Sequence, residues 1–154
     1  MQKIDEKYMR FALKEAQKAA QIDEVPVGAV IVCDGKIIAL AFNKREINND
    51  PLGHAEIIAI RKASKKLKTW RMTNCELYVT VEPCAMCAGA IMWSRFKRII
   101  YGAPDLKGGA TGSTFNLFDT KIVNHKPEIT SGILEEECRK IIQDFFRNKR
   151  NSQN

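Results

Sequence analysis

The stretch ELYVTVEPCAMCAGAIMWS, Glu76 to Ser94, changes character halfway along. Up to Glu82 it is a short apolar run rich in β-branched and aromatic residues, which reads as a strand. From Pro83 onward Ala85, Met86, Ala88, Ala90, Ile91 and Met92 read as a helix to about Ser94, with the proline preorganised for its first turn. A strand feeding directly into a helix is the building unit of an α/β fold. The junction also carries two sulfurs, Cys84 and Cys87, whose i, i+3 spacing puts them on one helix face about 5–6 Å apart.

Working outward, the same alternation recurs. Between Asp5 and about Gln21, Tyr8, Met9, Ala12, Leu13, Ala16, Ala19 and Ala20 return at helical steps and give one buried face. VGAVIVC (Val27–Cys33) and KIIALAF (Lys36–Phe42) are apolar runs separated by Asp34-Gly35, the dipeptide of a tight hairpin. The polar segment NKREINNDPLG (Asn43–Gly53) is loop, and Ala55, Ile57, Ile58, Ile60 and Ala63 give a buried helix after it. RIIYGA (Arg98–Ala103) reads as a fourth strand, GGATGS (Gly108–Ser113) as a flexible loop and EITSGI (Glu128–Ile133) as a fifth, edge strand. A last helix is expected from Leu134 to about Asn148, with Ile141, Ile142, Phe145 and Phe146 covering the sheet. Strands alternating with covering helices predict a three-layer α/β/α sandwich, a single domain over 1–154 that ends in a basic helix end and tail at 134–154.

At 154 residues, 45% hydrophobic and 28% charged, the chain has the composition of an ordinary soluble fold. No apolar run approaches the length of a membrane span and the N-terminus has no apolar leader, so a cytoplasmic protein is expected. Five cysteines, Cys33, Cys75, Cys84, Cys87 and Cys138, cannot all pair within the chain, which puts metal or catalytic use ahead of disulfides. The net charge of +7, gathered in RKASKKLKTWR (Arg61–Arg71) and FFRNKR (Phe145–Arg150), favours a polyanionic partner, although each run alone also reads as a solvated helix face.

The chemistry centres on GHAEIIAI, Gly53 to Ile60. A helix start favours thiolate at Cys84 and Cys87, and a soft dithiolate with an imidazole, His54, suits zinc. Three protein ligands leave one tetrahedral corner for water, as in a catalytic rather than a structural site. Glu56, two residues past His54, is then the group that moves protons. The alternatives are a redox Cys-x-x-Cys, or a structural zinc closed by Cys33, Cys75, Cys138 or His125. The three remaining cysteines instead read as small buried hydrophobes.

His-x-Glu (His54–Glu56) followed by Pro-Cys-x-x-Cys (Pro83–Cys87) is the signature of zinc-dependent nucleobase deaminases. The chain resembles the bacterial tRNA-specific adenosine deaminases over almost its whole length. The likeness runs through EVPVGAV (Glu24–Val30), FNKRE (Phe42–Glu46), LYVTVEPCAMCAGAI (Leu77–Ile91), RIIYGAPDLKGGATGS (Arg98–Ser113), NHKPEITSGIL (Asn124–Leu134) and DFFRNKR (Asp144–Arg150). The resemblance implies a cytidine deaminase-like fold with a mixed five-stranded sheet and a homodimer with each active site near the interface. It also implies one zinc per subunit and conversion of adenosine to inosine at the wobble position (34) of a tRNA anticodon loop. It further implies that Asn43, the backbone of Ala55, the carbonyl of Pro83 and Asp105 meet the target nucleotide. Lys107, Arg147, Lys149 and Arg150 are expected to contact the RNA. Two other readings compete: a deaminase of free guanine, cytosine or cytidylate, and a zinc module that only binds RNA. Gly53 stands where many relatives carry alanine, a change expected to loosen the backbone. Trp70 and Trp93 read as core or interface anchors.

Overall fold

The computed structural model describes residues 1–121 and 123–153. Its elements follow in the order α1 (Gln2–Gln21), β1 (Gly28–Cys33), β2 (Lys36–Phe42), α2 (Ala55–Leu67), β3 (Cys75–Val81), α3 (Ala85–Ser94) and β4 (Arg98–Ala103). A short 3-10 turn (Leu117–Asp119), β5 (Glu128–Thr130) and α4 (Glu135–Ser152) complete them. Asp34 and Gly35 take φ values of 51° and 76°, the pair of positive angles that a type I′ hairpin requires, so β1 and β2 are joined as expected.

The five strands lie in the order β2-β1-β3-β4-β5. β1 is antiparallel to both β2 and β3, whereas β3–β4 and β4–β5 are parallel, so the sheet is mixed. The central strands are apolar on both faces because both faces are covered. Ala29, Ile31, Leu77, Val79, Ile99 and Tyr101 face a core that also holds Ala55 and Ala59 of α2 and Ala88 and Ile91 of α3. The alternate residues Val30, Val32, Tyr78 and Ile100 face a second core with Tyr8, Met9 and Ala12 of α1 and Cys138 of α4. The three-layer expectation therefore holds.

Several details differ from the sequence reading, the first being that the edge strand expected over Glu128–Ile133 ends at Thr130. α4 runs on to Ser152 and covers the sheet only at its start, through Cys138, with Ile133 and Leu134 packing just ahead of it; Phe146 is 42% exposed instead of buried. Ile141 and Phe145 line a cleft of about 1010 Å³ between α1 and α4. Trp70 and Trp93 are also exposed, so neither is a core anchor. Among the described residues no helix is long and apolar enough to cross a membrane.

Candidate active site

Ligand sites in open α/β sheets lie outside the carboxyl ends of parallel strands. Past the end of β3 the chain passes Glu82 and Pro83 and enters α3 at Ala85, which leaves Pro83 ahead of the helix and makes Cys84 its N-cap. His54 is the N-cap of α2. Both caps have extended backbone and neither side chain caps its own helix, so imidazole and thiol are free to turn toward each other. His54 Nδ1 lies 3.7 Å from Cys84 Sγ and 3.6 Å from Cys87 Sγ. The three donor atoms all lie within 4.8 Å of one another, a group that could hold a metal ion. Cys33, Cys75, Cys138 and His125 do not join this group. His125 instead donates from Nε2 to the Phe96 carbonyl at 2.6 Å.

The protons of the site are unevenly shared. Cys84 is held down to about 4, first by the Cys87 thiol that donates to it and then, against burial, by His54. Cys87 is pushed far up for the complementary reason, and the Cys84 sulfur raises His54. Glu56 is buried, and burial lifts its carboxyl to about 7, near neutrality.

His54, Ala55, Glu56, Cys84, Asn43 and Asp105 all line one cavity of about 160 Å³, together with Val25, Val27, Arg45, Val81 and Glu82. Asn43 Nδ2 donates to the Val25 carbonyl (3.3 Å) and its Oδ1 accepts from Arg45 N–H (3.3 Å), so it closes the strand end and walls the cavity at once. Asp105 Oδ1 accepts from the N–H groups of Lys107 and Gly108, both at 3.0 Å, which makes it a turn former as well. The Pro83 carbonyl accepts from Ala110 N–H at 2.9 Å. Gly53 is held, not loose: its N–H donates to Asp50 and its carbonyl accepts from Lys44, and an added Cβ would come within 3.2 Å of the Arg45 backbone.

Lys107 is exposed on the rim loop, and Arg150 is exposed near the end of α4. Arg147 pairs with Asp144 (3.4 Å) and Lys149 with Asp23 (2.8 Å), two residues before Val25 in the cavity wall. Sequence reading missed Val25, Val27, Arg45, Val81 and Glu82 as parts of this wall. Only Glu82 carried a signal: an acid that ends an apolar strand immediately before the Pro-Cys pair.

The sheet order, with donors presented by two helix starts beside its parallel strands, places the protein in the cytidine deaminase-like class of α/β folds. Residues 4–150 match the MafB19-like deaminase family. The tRNA-specific adenosine deaminase of Haemophilus influenzae is 50% identical over 148 residues, 96% of this chain and 86% of that one. A solved structure from a study of A-to-I editing by tRNA:A34 deaminases at the wobble position of transfer RNA shares 46% identity at a TM-score of 0.85. It covers 86% of this chain and 96% of its own. The guanine deaminase of Bacillus subtilis shares 34% identity at a TM-score of 0.62, over 75% of this chain and 85% of its own. The chain belongs to the tRNA-specific adenosine deaminase family.

Proposed function

We propose that the protein hydrolyses adenosine to inosine at the wobble position of a tRNA anticodon loop, with one zinc ion per subunit held by His54, Cys84 and Cys87. The observation that carries this reading is the buried Glu56, which lines one cavity with His54 and Cys84, two of the three grouped donors. Zinc fits them: bond lengths of about 2.0–2.1 Å to nitrogen and 2.3 Å to sulfur put tetrahedral N and S about 3.6 Å apart. The observed separations are 3.7 and 3.6 Å. When bound, the ion supplies Lewis acidity that makes water acidic enough to ionise near neutral pH.

Glu56 does the proton work. A carboxyl poised near 7 takes a proton from water at neutral pH and gives it up again with little penalty either way. It passes that proton to N1 of adenine as the water oxygen adds to C6, and returns the second to N6, which leaves as ammonia. The balance is adenosine and water to inosine and ammonia. Asn43, the backbone of Ala55, the Pro83 carbonyl and Asp105 hold the base edge and its nucleotide. A cavity of about 160 Å³ lies well below the roughly 300–1,000 Å³ of ordinary ligand pockets. It suits one extruded base with the rest of the substrate outside, and an anticodon loop offers that base already unpaired.

Lys107, Arg147, Lys149 and Arg150 take the phosphates. The exposed pairs Arg147–Asp144 and Lys149–Asp23 are worth little to stability and can exchange for phosphate. The subunits pair through the outer face of α3, where Ala85, Met86, Gly89, Ala90 and Trp93 form an apolar face with Trp93 62% exposed. We place the protein in the cytoplasm, where its substrate is processed. The test is incubation of the purified protein with bulk tRNA, free nucleosides and free bases. Inosine confined to one anticodon loop is expected; xanthine from guanine would reassign the substrate. Truncation after Phe146 should weaken RNA binding and flatten its salt dependence, and unchanged values would return the tail to a solvated helix end.

A further inference from the structure

Glu82 is 3% exposed, and among the described residues its carboxylate meets no cation. It is satisfied by one loop. Oε1 accepts from Asp105 N–H (3.1 Å) and the Ser113 hydroxyl; Oε2 accepts from Thr111 N–H (3.0 Å), Thr111 hydroxyl (3.3 Å) and Ser113 N–H (3.1 Å). Gly109 completes the wrap, because a Cβ there would lie 2.4 Å from the Glu82 carboxyl carbon. The next residue, Ala110, donates to the Pro83 carbonyl, one residue before the metal donor Cys84. From Pro104 to Ser113 the loop has only turns and one bridge pair, Thr111 with Asn116, and the Glu82 carboxylate is the buried group that draws Asp105, Thr111 and Ser113 together.

We infer that Glu82 is a positioning residue: its buried carboxylate shapes the 104–113 loop so that Asp105 walls the cavity and Lys107 stands at its rim to engage RNA. The inference rests on the proposed RNA substrate for its kinetic consequence, but not for its structural one. Hydrogen-bond chemistry decides the variant. Glu82→Gln replaces one oxygen by an NH₂ group, which turns a donor toward either the two partners of Oε1 or the three of Oε2. Glu82→Asp keeps both oxygens and should restore part of the effect. Gly109→Ala attacks the same wrap from the other side.

The experiment pairs steady-state kinetics on an anticodon stem-loop RNA with amide hydrogen exchange. For Glu82→Gln the expected result is a KM raised about tenfold at nearly unchanged kcat and unchanged zinc content, the pattern of lost binding rather than lost chemistry. Faster exchange at the amides of Asp105, Thr111 and Ser113 is expected with it, and the same pair of changes in Gly109→Ala should the first variant fold poorly. Native exchange rates in both variants would overturn the inference, as would a fall in kcat with KM unmoved. A wild-type protein inactive on every RNA would defeat the substrate reading alone, and amide exchange would still decide the role of Glu82.

Discussion

β3 starts beside one buried acidic centre and stops at another. At its start, Arg98 Nη2 lies 2.7 Å from Asp5 and Nη1 reaches both Asp5 (2.9 Å) and Glu76 (3.1 Å), while the Tyr78 hydroxyl donates to Asp5 at 2.8 Å. Arg98 also donates to the Thr130 hydroxyl at 2.8 Å. Just past the end of β3, Glu82 is held by N–H and O–H groups alone, and against the burial that would raise it the Ser113 hydroxyl and amide keep its carboxyl below the usual range. The difference is one of purpose. A guanidinium with fixed, forked donors ties α1, β3, β4 and β5 together, elements that already have their own shape. A carboxylate ringed by amides and hydroxyls draws together a segment built only of turns and one bridge pair. The first centre supports the fold and the second shapes the site.

The sharpest way to widen this contrast is at the site end. Glu56→Gln is expected to lower turnover by about 10²–10⁴-fold or more, since it removes the carboxyl proposed to carry the proton. Its urea midpoint should not fall, because a carboxyl lifted to about 7 by burial gains little from its charge in the folded state. Turnover within tenfold of the wild type would break the assignment of Glu56 and with it the functional half of the comparison.

Arg98→Ala asks the converse. It strands the Asp5 carboxyl in a buried position, and breaking such a pair costs about 3–5 kcal/mol in a denaturation experiment. Activity per folded, zinc-loaded molecule should stay at the wild-type level. A variant that kept its stability but lost turnover would show that the two ends are not separate.

The unequal legibility of the two ends has a physical cause. The hairpin at Asp34-Gly35 and the His-x-Glu and Pro-Cys-x-x-Cys groups are local: each signal and its structural consequence lie within a few residues. The donors still had to be brought across 30 residues by the sheet; the soft-ligand chemistry of two thiolates with an imidazole suggested that pairing in advance, and the likeness to known deaminases supported it. Asp5 and Arg98 are 93 residues apart, and an acid in the first turn of an amphipathic helix reads as an ordinary dipole partner on a solvated face. Glu82 meets donors 23 to 31 residues downstream in a segment that reads only as a flexible loop. Phe146 fits helical periodicity for burial yet lies beyond the part of α4 that overlies the sheet. Periodicity gives the face of a helix; it does not give the length over which a neighbour covers it.

The smallest expected effect compares the two ends by burial alone. Cys75 begins β3 beside Glu76, and Cys138 packs from α4 against Gly102 of β4, nearer the site. Burial first, then a neighbouring thiol for Cys75 and nearby acids for Cys138, pushes each thiol from 9.0 up to about 12. In the unfolded chain both ionise near pH 9, whereas the folded chain keeps them protonated until about pH 12. Their contribution is therefore whole below pH 9 and is lost as the pH climbs through 12, because the unfolded state releases protons first. Urea midpoints measured from pH 8 to 11 should fall in the wild type and fall less steeply in Cys75→Ala and in Cys138→Ala. Tyr78 and Tyr101, raised by burial as well, add to the decline in all three proteins and cancel in the differences. Equal relief from the two alanine variants would mean that burial by packed apolar neighbours acts alike at both ends. In that case only the charged groups, one pairing with a cation and the other with a loop, distinguish them.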